Sequence, residues 1–156
     1  MPINLKNKKE ESRNLLLHNR GLHKNTRAIV LSYIQDPEII VFFRNACQAI
    51  WIIFITEIGD IEISGWDIWI TDTFNAAIPI EILCKNLVIP VVPLELEYKK
   101  IFTEFDPMKF EWNAFIFESK NQFQMFEKLI RAIENMRYAG DKRTLLQNIE
   151  ATKIHN

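Results

Sequence analysis

Four carboxylates in this chain stand directly after short apolar runs: Asp36 after AIVLSYIQ, Asp72 after WDIWIT, Glu95 after LVIPVVPL and Glu118 after AFIF. Carboxylates brought together in this way can hold a divalent cation; magnesium takes them, with water, in octahedral geometry. With such a cation in place an aspartate can accept a phosphoryl group, because the metal neutralises the transferred oxygens. Other chemistries lack their residues. Cys47 and Cys84 are lone cysteines far apart in sequence, which reads as two reduced core thiols rather than a disulfide or a metal site. His18, His23 and His155 lie near the ends of the chain and share no ligand spacing with either cysteine. No Gly-rich phosphate loop, nucleophile elbow or His-Glu metal motif occurs.

The elements that carry these residues alternate. Ala28–Tyr33, Trp51–Ile55, Trp66–Thr71, Leu87–Val92 and Phe115–Phe117 read as strands, being short, nearly all apolar and rich in branched and aromatic residues. Pro90 is awkward in the fourth, because it removes a ladder donor. Helical segments lie between them. One starts at Pro37 with Asp36 as its N-cap. Others are expected over Pro79–Asn86, Glu95–Phe105 and Asn121–Tyr138, with about two turns of helix between the second and third strands. Parallel neighbours need crossover connections, and all-apolar strands need cover on both faces. The pattern predicts an α/β fold with a doubly wound, five-stranded parallel sheet of order 2-1-3-4-5, in three α/β/α layers. The functional crevice of such a sheet lies beyond the carboxyl ends of its strands. Gln35, Asp36, Glu57, Asp72, Glu95 and Glu118 all fall there. Around the body (residues 27–138) we expect a partly disordered basic leader, residues 1–26, and a helical tail, residues 139–156. The leader has a short helix at Glu10–Arg20 with Gly21 as its C-cap, and the tail a helix at Lys142–Thr152.

Residues 27–138 resemble a bacterial response-regulator receiver domain, with a flavodoxin-like sheet. The first strand runs into DPEII, the third ends on an aspartate in WDIWITD, a PIEIL helix follows, the fourth strand is VIPVVPLE, and the fifth is WNAFIFES. The resemblance implies Asp72 as the equivalent of the phosphoacceptor, with Gln35, Asp36, Glu95 and Glu118 at the other pocket positions. The departures are chemical. The acidic pair that holds magnesium is replaced by Ile34 and Gln35, the phosphoryl-sensing hydroxyl by Glu95, and the compensating lysine by Glu118. The expectation is therefore a degenerate receiver. Asp72, Glu95 and Glu118 converge with no cation of their own, there is no catalytic residue, no metal and no cofactor, and Asp72 caps the loop that follows it. It acts as a non-catalytic signalling module of two-component type, through protein contacts. The alternative is a working receiver, with magnesium, phosphorylated on Asp72 by a histidine kinase. A third reading is a fragment of a two-Rossmann-domain glycosyltransferase, whose nucleotide-sugar stretch is loosely similar to DIWITDTFNAAIPIEILCKNLVIPVVPLE.

Aromatic residues point to a partner face. Seven of the eleven phenylalanines lie within residues 102–126, the stretch that matches the fourth helix, fifth strand and fifth helix by which receivers meet dimer mates and partners. The 121–138 helix is apolar over nearly half its circumference, wider than a one-sided surface helix needs. Phe102, Phe105, Trp112, Phe123, Met125 and Ile130 are the expected contact residues, for a protein partner or a second copy. Residues 1–27 carry seven Lys/Arg against two Glu, and residues 28–119 five against fourteen acids. A basic leader of this kind attracts nucleic acid, but it has no aromatics to stack on bases, which points away from that function. No apolar run reaches membrane-span length and no signal peptide is visible, so a cytoplasmic protein is expected.

Overall fold

The computed structural model describes residues 5–19, 26–56, 60–106 and 108–153. Its order is α1 (Leu5–Asn19), β1 (Ala28–Tyr33), α2 (Pro37–Ala49), β2 (Ile52–Ile55), a 3₁₀ helix (Asp60–Gly65), β3 (Ile68–Thr71), α3 (Ile80–Lys85), β4 (Ile89–Pro93), α4 (Leu96–Lys99), β5 (Phe115–Phe117), α5 (Gln122–Asn135) and α6 (Ala139–Glu150). The five strands form one sheet of order β2-β1-β3-β4-β5, and every neighbouring pair is parallel. This is the expected topology. The Glu95–Phe105 helix shrinks to the four residues of α4.

Register separates the two faces of the sheet. Phe54, Val30 and Ile68 lie side by side on β2, β1 and β3, and Leu31 and Trp69 occupy the next position, so the two sets point to opposite faces. On the first face Phe54 stacks on Phe43 of α2, which meets Phe126 of α5 edge to face. On the second, Trp69 packs against Tyr98 of α4 and Phe102 just beyond it. Pro90 fits because alternate N–H groups serve opposite neighbours. Ile89 donates towards β3, so the Pro90 nitrogen points to the β5 side, one residue before that ladder opens at Val91 and Phe115. Between α3 and β4 the backbone N–H groups of Leu87 and Val88 donate to the carbonyls of Cys84 and Leu83. That closes a Schellman turn, with Leu87 at φ 58° where glycine is usual.

Helices at both ends of the chain belong to the core. The leader holds α1, which starts earlier than the expected helix and buries Leu16 and Leu17. In the tail, α6 buries Leu145 and Ile149. Gly21, His23, Glu57 and His155 lie outside the described residues. Among the described residues no helix is long and apolar enough to cross a membrane.

Candidate functional site

The sheet's carboxyl edge gathers most of the predicted acids, but in a different arrangement from the one the sequence suggests. Asp72 follows β3 directly and is 7% exposed. Its Oδ1 accepts the Gln35 backbone N–H at 3.0 Å, and its Oδ2 accepts the N–H of Asp36 at 3.1 Å. Asp72 therefore does not cap the loop that follows it; its carboxylate reaches back to the β1–α2 loop. The following turn is held instead by Thr71, whose hydroxyl donates to the Thr73 carbonyl at 2.8 Å. Asp36 acts as the predicted N-cap of α2, its Oδ1 accepting the Glu38 N–H at 2.9 Å. Gln35 contributes its amide to the site, and its exposed side chain has no partner among the described residues.

Glu95 lies at the end of β4. One carboxylate oxygen accepts the Phe74 N–H at 2.8 Å and the other meets the Lys120 ammonium at 2.8 Å. Burial alone would raise its pKa, but the hydrogen bonds from Lys120 and the Phe74 amide, with the lysine's charge, hold it below the usual carboxylate value. Lys120 is a residue of this edge that the sequence reading missed, and its pair with Glu95 corrects the expectation of an acid cluster without a cation. It stands two positions past Glu118. Because β5 ends at Phe117, the chain turns there and brings position 120, not 118, to the edge. Glu118 is exposed and makes no ion pair with a described residue. The edge thus unites Asp72, Asp36, Glu95 and Lys120, and leaves Glu118 apart.

Nucleophile and metal chemistry have little to work with elsewhere. Cys47 and Cys84 are free and buried, and burial pushes both thiols up to about 12, far from the thiolate range. Among the described residues no three His, Cys, Asp or Glu side chains lie close enough to hold a metal ion.

The expected partner face is mostly interior. Phe102, Trp112 and Met125 are 3%, 2% and 0% exposed, so none is open to a partner. Phe105 is half-buried, stacked on Phe115 with ring centres 5.0 Å apart. Ile130 is also half-buried, and both line a groove of about 660 Å³ that ends at Tyr138. Phe123 alone is well exposed, at 65%, although its ring meets Phe42 of α2 edge to face. The reason is that α5 lies against both β5 and β4, so the sheet takes up the Met125 and Ala132 border of the broad apolar arc. Much of the remaining width meets α2.

No protein-family model matches the sequence, and no curated protein matches it significantly. Among solved structures, the chain is similar to the catalytic domain of starch synthase IV from Arabidopsis thaliana, bound to ADP and acarbose. The TM-score is 0.73 and the identity 14%, over 97% of this chain and 41% of that one. The chain therefore spans less than half of that structure, and the likeness is one of fold.

Proposed function

We propose that this chain is a non-catalytic binding module built on one half of a two-Rossmann-domain glycosyltransferase fold. The observation that carries the reading is the engaged carboxyl edge. Backbone N–H groups beside a helix N-terminus normally attract a ligand anion in such folds. Here the amides of Gln35 and Asp36, which lead into α2, are engaged by the protein's own Asp72, and the Phe74 amide is engaged by Glu95. A phosphate arriving at this edge meets carboxylates in place of donors, and Lys120, the lysine on Glu95, is already paired.

The two terminal helices support the glycosyltransferase-type half over a receiver. The receiver resemblance ends at residue 138, whereas α1 and α6 pack into the core and the starch synthase likeness covers 97% of the chain. Two-component signalling rests on the sequence resemblance alone.

A second reading, a working nucleotide-binding half, draws on a different observation. A cavity of about 510 Å³ opens beside Phe74, Asn75, Pro79 and Lys100, next to the same edge, and the similar starch synthase is bound to ADP. Titration of ADP and UDP into isotope-labelled protein, read by backbone amide shifts, separates the two. The non-catalytic module shows no shifts at Gln35, Phe74 or Glu95 at millimolar nucleotide. Saturable shifts there at micromolar nucleotide would replace it with the second reading.

A further inference from the structure

The opposite edge of the sheet has the reverse electrostatics. Thr26 and Arg27 precede β1 and Asp67 precedes β3, so all three lie at the amino edge. There α1, the end of α5 and the start of α6 enclose a cavity of about 310 Å³. Five cations line it, Lys9, Arg13, Arg27, Arg137 and Lys142, against two carboxylates, Glu10 and Asp67.

Some of that charge has a structural task. Asp67, 4% exposed, accepts the Ile29 N–H at 2.8 Å and the Arg13 Nε at 2.9 Å. Arg13 also donates to the Thr26 carbonyl at 2.7 Å. The Lys9 ammonium donates to the carbonyls of Trp66 and Asn86. These bonds tie α1 to the sheet and consume the buried one of the two acids that line the cavity. Arg27, Arg137 and Lys142 form no ion pair with any described residue, although all three face the same cavity. Ile133, Met136 and Leu146 give it an apolar wall.

We propose that this amino-edge pocket binds the phosphate group of a small phosphorylated metabolite, with Arg27, Arg137 and Lys142 on the phosphate and the Ile133–Met136–Leu146 wall against the rest of the molecule. Unpaired guanidinium groups match phosphate by charge and by their fork of donors. The volume is at the lower end of ligand pockets, which suits a metabolite. Burial is the main cause that lowers Lys9 to about 8; Lys142 and Arg13 add to the effect, and Asp67 opposes it.

AMP serves as the phosphate ester, adenosine as its uncharged counterpart, and inorganic phosphate as the free anion. Each is titrated into the full chain and followed by backbone amide shifts. AMP is expected to shift Arg27, Asp67, Arg137 and Lys142 and to leave Gln35 and Phe74 in place, so this outcome is independent of the carboxyl-edge reading. The double variant Arg137→Glu with Lys142→Glu should weaken AMP by about tenfold or more, the scale of charge-assisted hydrogen bonds. Arg137 is exposed and Lys142 half-buried, and the milder pair Arg137→Gln with Lys142→Gln should weaken it less while keeping the wild-type spectrum. A Lys99→Glu control on α4 should bind as wild type. Adenosine binding as tightly as AMP, or unchanged AMP binding in both double variants, would overturn the proposal. So would the absence of amino-edge shifts with millimolar AMP and phosphate. Inorganic phosphate binding as tightly as AMP would overturn the role of the apolar wall. A short oligonucleotide binding more tightly than AMP would overturn the small-molecule assignment.

Discussion

Replacing Asp72 with alanine tests whether this carboxylate is a structural clamp or a free chemical group. In the structure it accepts two backbone N–H groups, at 3.0 and 3.1 Å, and so holds the β1–α2 loop against the end of β3. Hydrogen bonds to a charged acceptor contribute about 1.5–3 kcal/mol each. The side chains of Gln35 and Asp36 are exposed, so water can reach the loop and replace part of what is lost. The low end therefore applies, and Asp72→Ala should cost roughly 2–4 kcal/mol. For a chain of this length that lowers the melting temperature by roughly 5–15 °C. Asp72→Asn keeps one acceptor oxygen without the charge and should fall about midway. Urea unfolding is the assay, with the midpoint moving and the slope unchanged. An alanine variant within about 0.5 kcal/mol of wild type would refute the clamp, because that is the ordinary effect of a surface substitution. A variant more stable than wild type would restore the picture of mutually repelling acids.

Three further expectations follow from other contacts. Gly65→Ala places a Cβ 2.9 Å from Cβ of Leu16 and 3.0 Å from the Ser12 carbonyl. It should push α1 off the 3₁₀ helix at a cost of about 1–3 kcal/mol, and an unchanged urea midpoint would count against the placement of α1. Burial lowers the Lys9 pKa from its ordinary value of 10.5 to about 8 in the folded chain, so between these values the folded chain binds fewer protons than the unfolded one, and the cost of burial is full below 8 and is relieved as pH rises towards 10.5. Wild type should therefore gain stability relative to Lys9→Met across that window, and parallel stability–pH curves would contradict it. Lys120→Met removes a half-exposed ion pair and should cost under about 1 kcal/mol at neutral pH. Because the Glu95 pKa is depressed, that difference should fade as pH drops below the ordinary carboxylate range; a difference that persists in acid would show that Lys120 acts by packing.

The parts of the fold set by periodicity were legible in the sequence. Strand order, the β1 bounds and the Asp36 cap follow from apolar runs, crossover lengths and local hydrogen-bonding chemistry, and all three appear as read. What was not legible depends on contacts between distant segments. The leader reads as a solvated basic arm because its charges outnumber its acids, yet Lys9 and Arg13 on α1 reach carbonyls and a buried carboxylate on the body. Those partners, Asn86 and Asp67, lie more than fifty residues away, and no local pattern announces them. Lys120 was missed for a geometric reason: motif alignment assigns the slot by counting, whereas the short β5 decides which residue turns inward. The aromatic cluster misled for a third reason. Phe102 and Trp112 are buried in the core, so their concentration signals a core need and not a docking face.

The two edges of the sheet differ in what their charges are doing. At the carboxyl edge Asp72 and Glu95 both have donors, so an anion aimed at those donors must first break an internal contact. At the amino edge the opposite holds: the acid is satisfied and the surplus is cationic. A cavity whose guanidinium groups Arg27 and Arg137 have no ion pair among the described residues can gain a charged hydrogen bond without breaking one. Binding therefore favours the edge that doubly wound sheets do not ordinarily use, and α1 and α6 are the elements that create it. Removing either helix would take away one wall of the pocket together with apolar residues of the core, Leu16 and Leu17 from α1 or Leu145 and Ile149 from α6. This couples ligand binding to the docking of the terminal helices: a ligand that binds only the docked form must stabilise it by mass action.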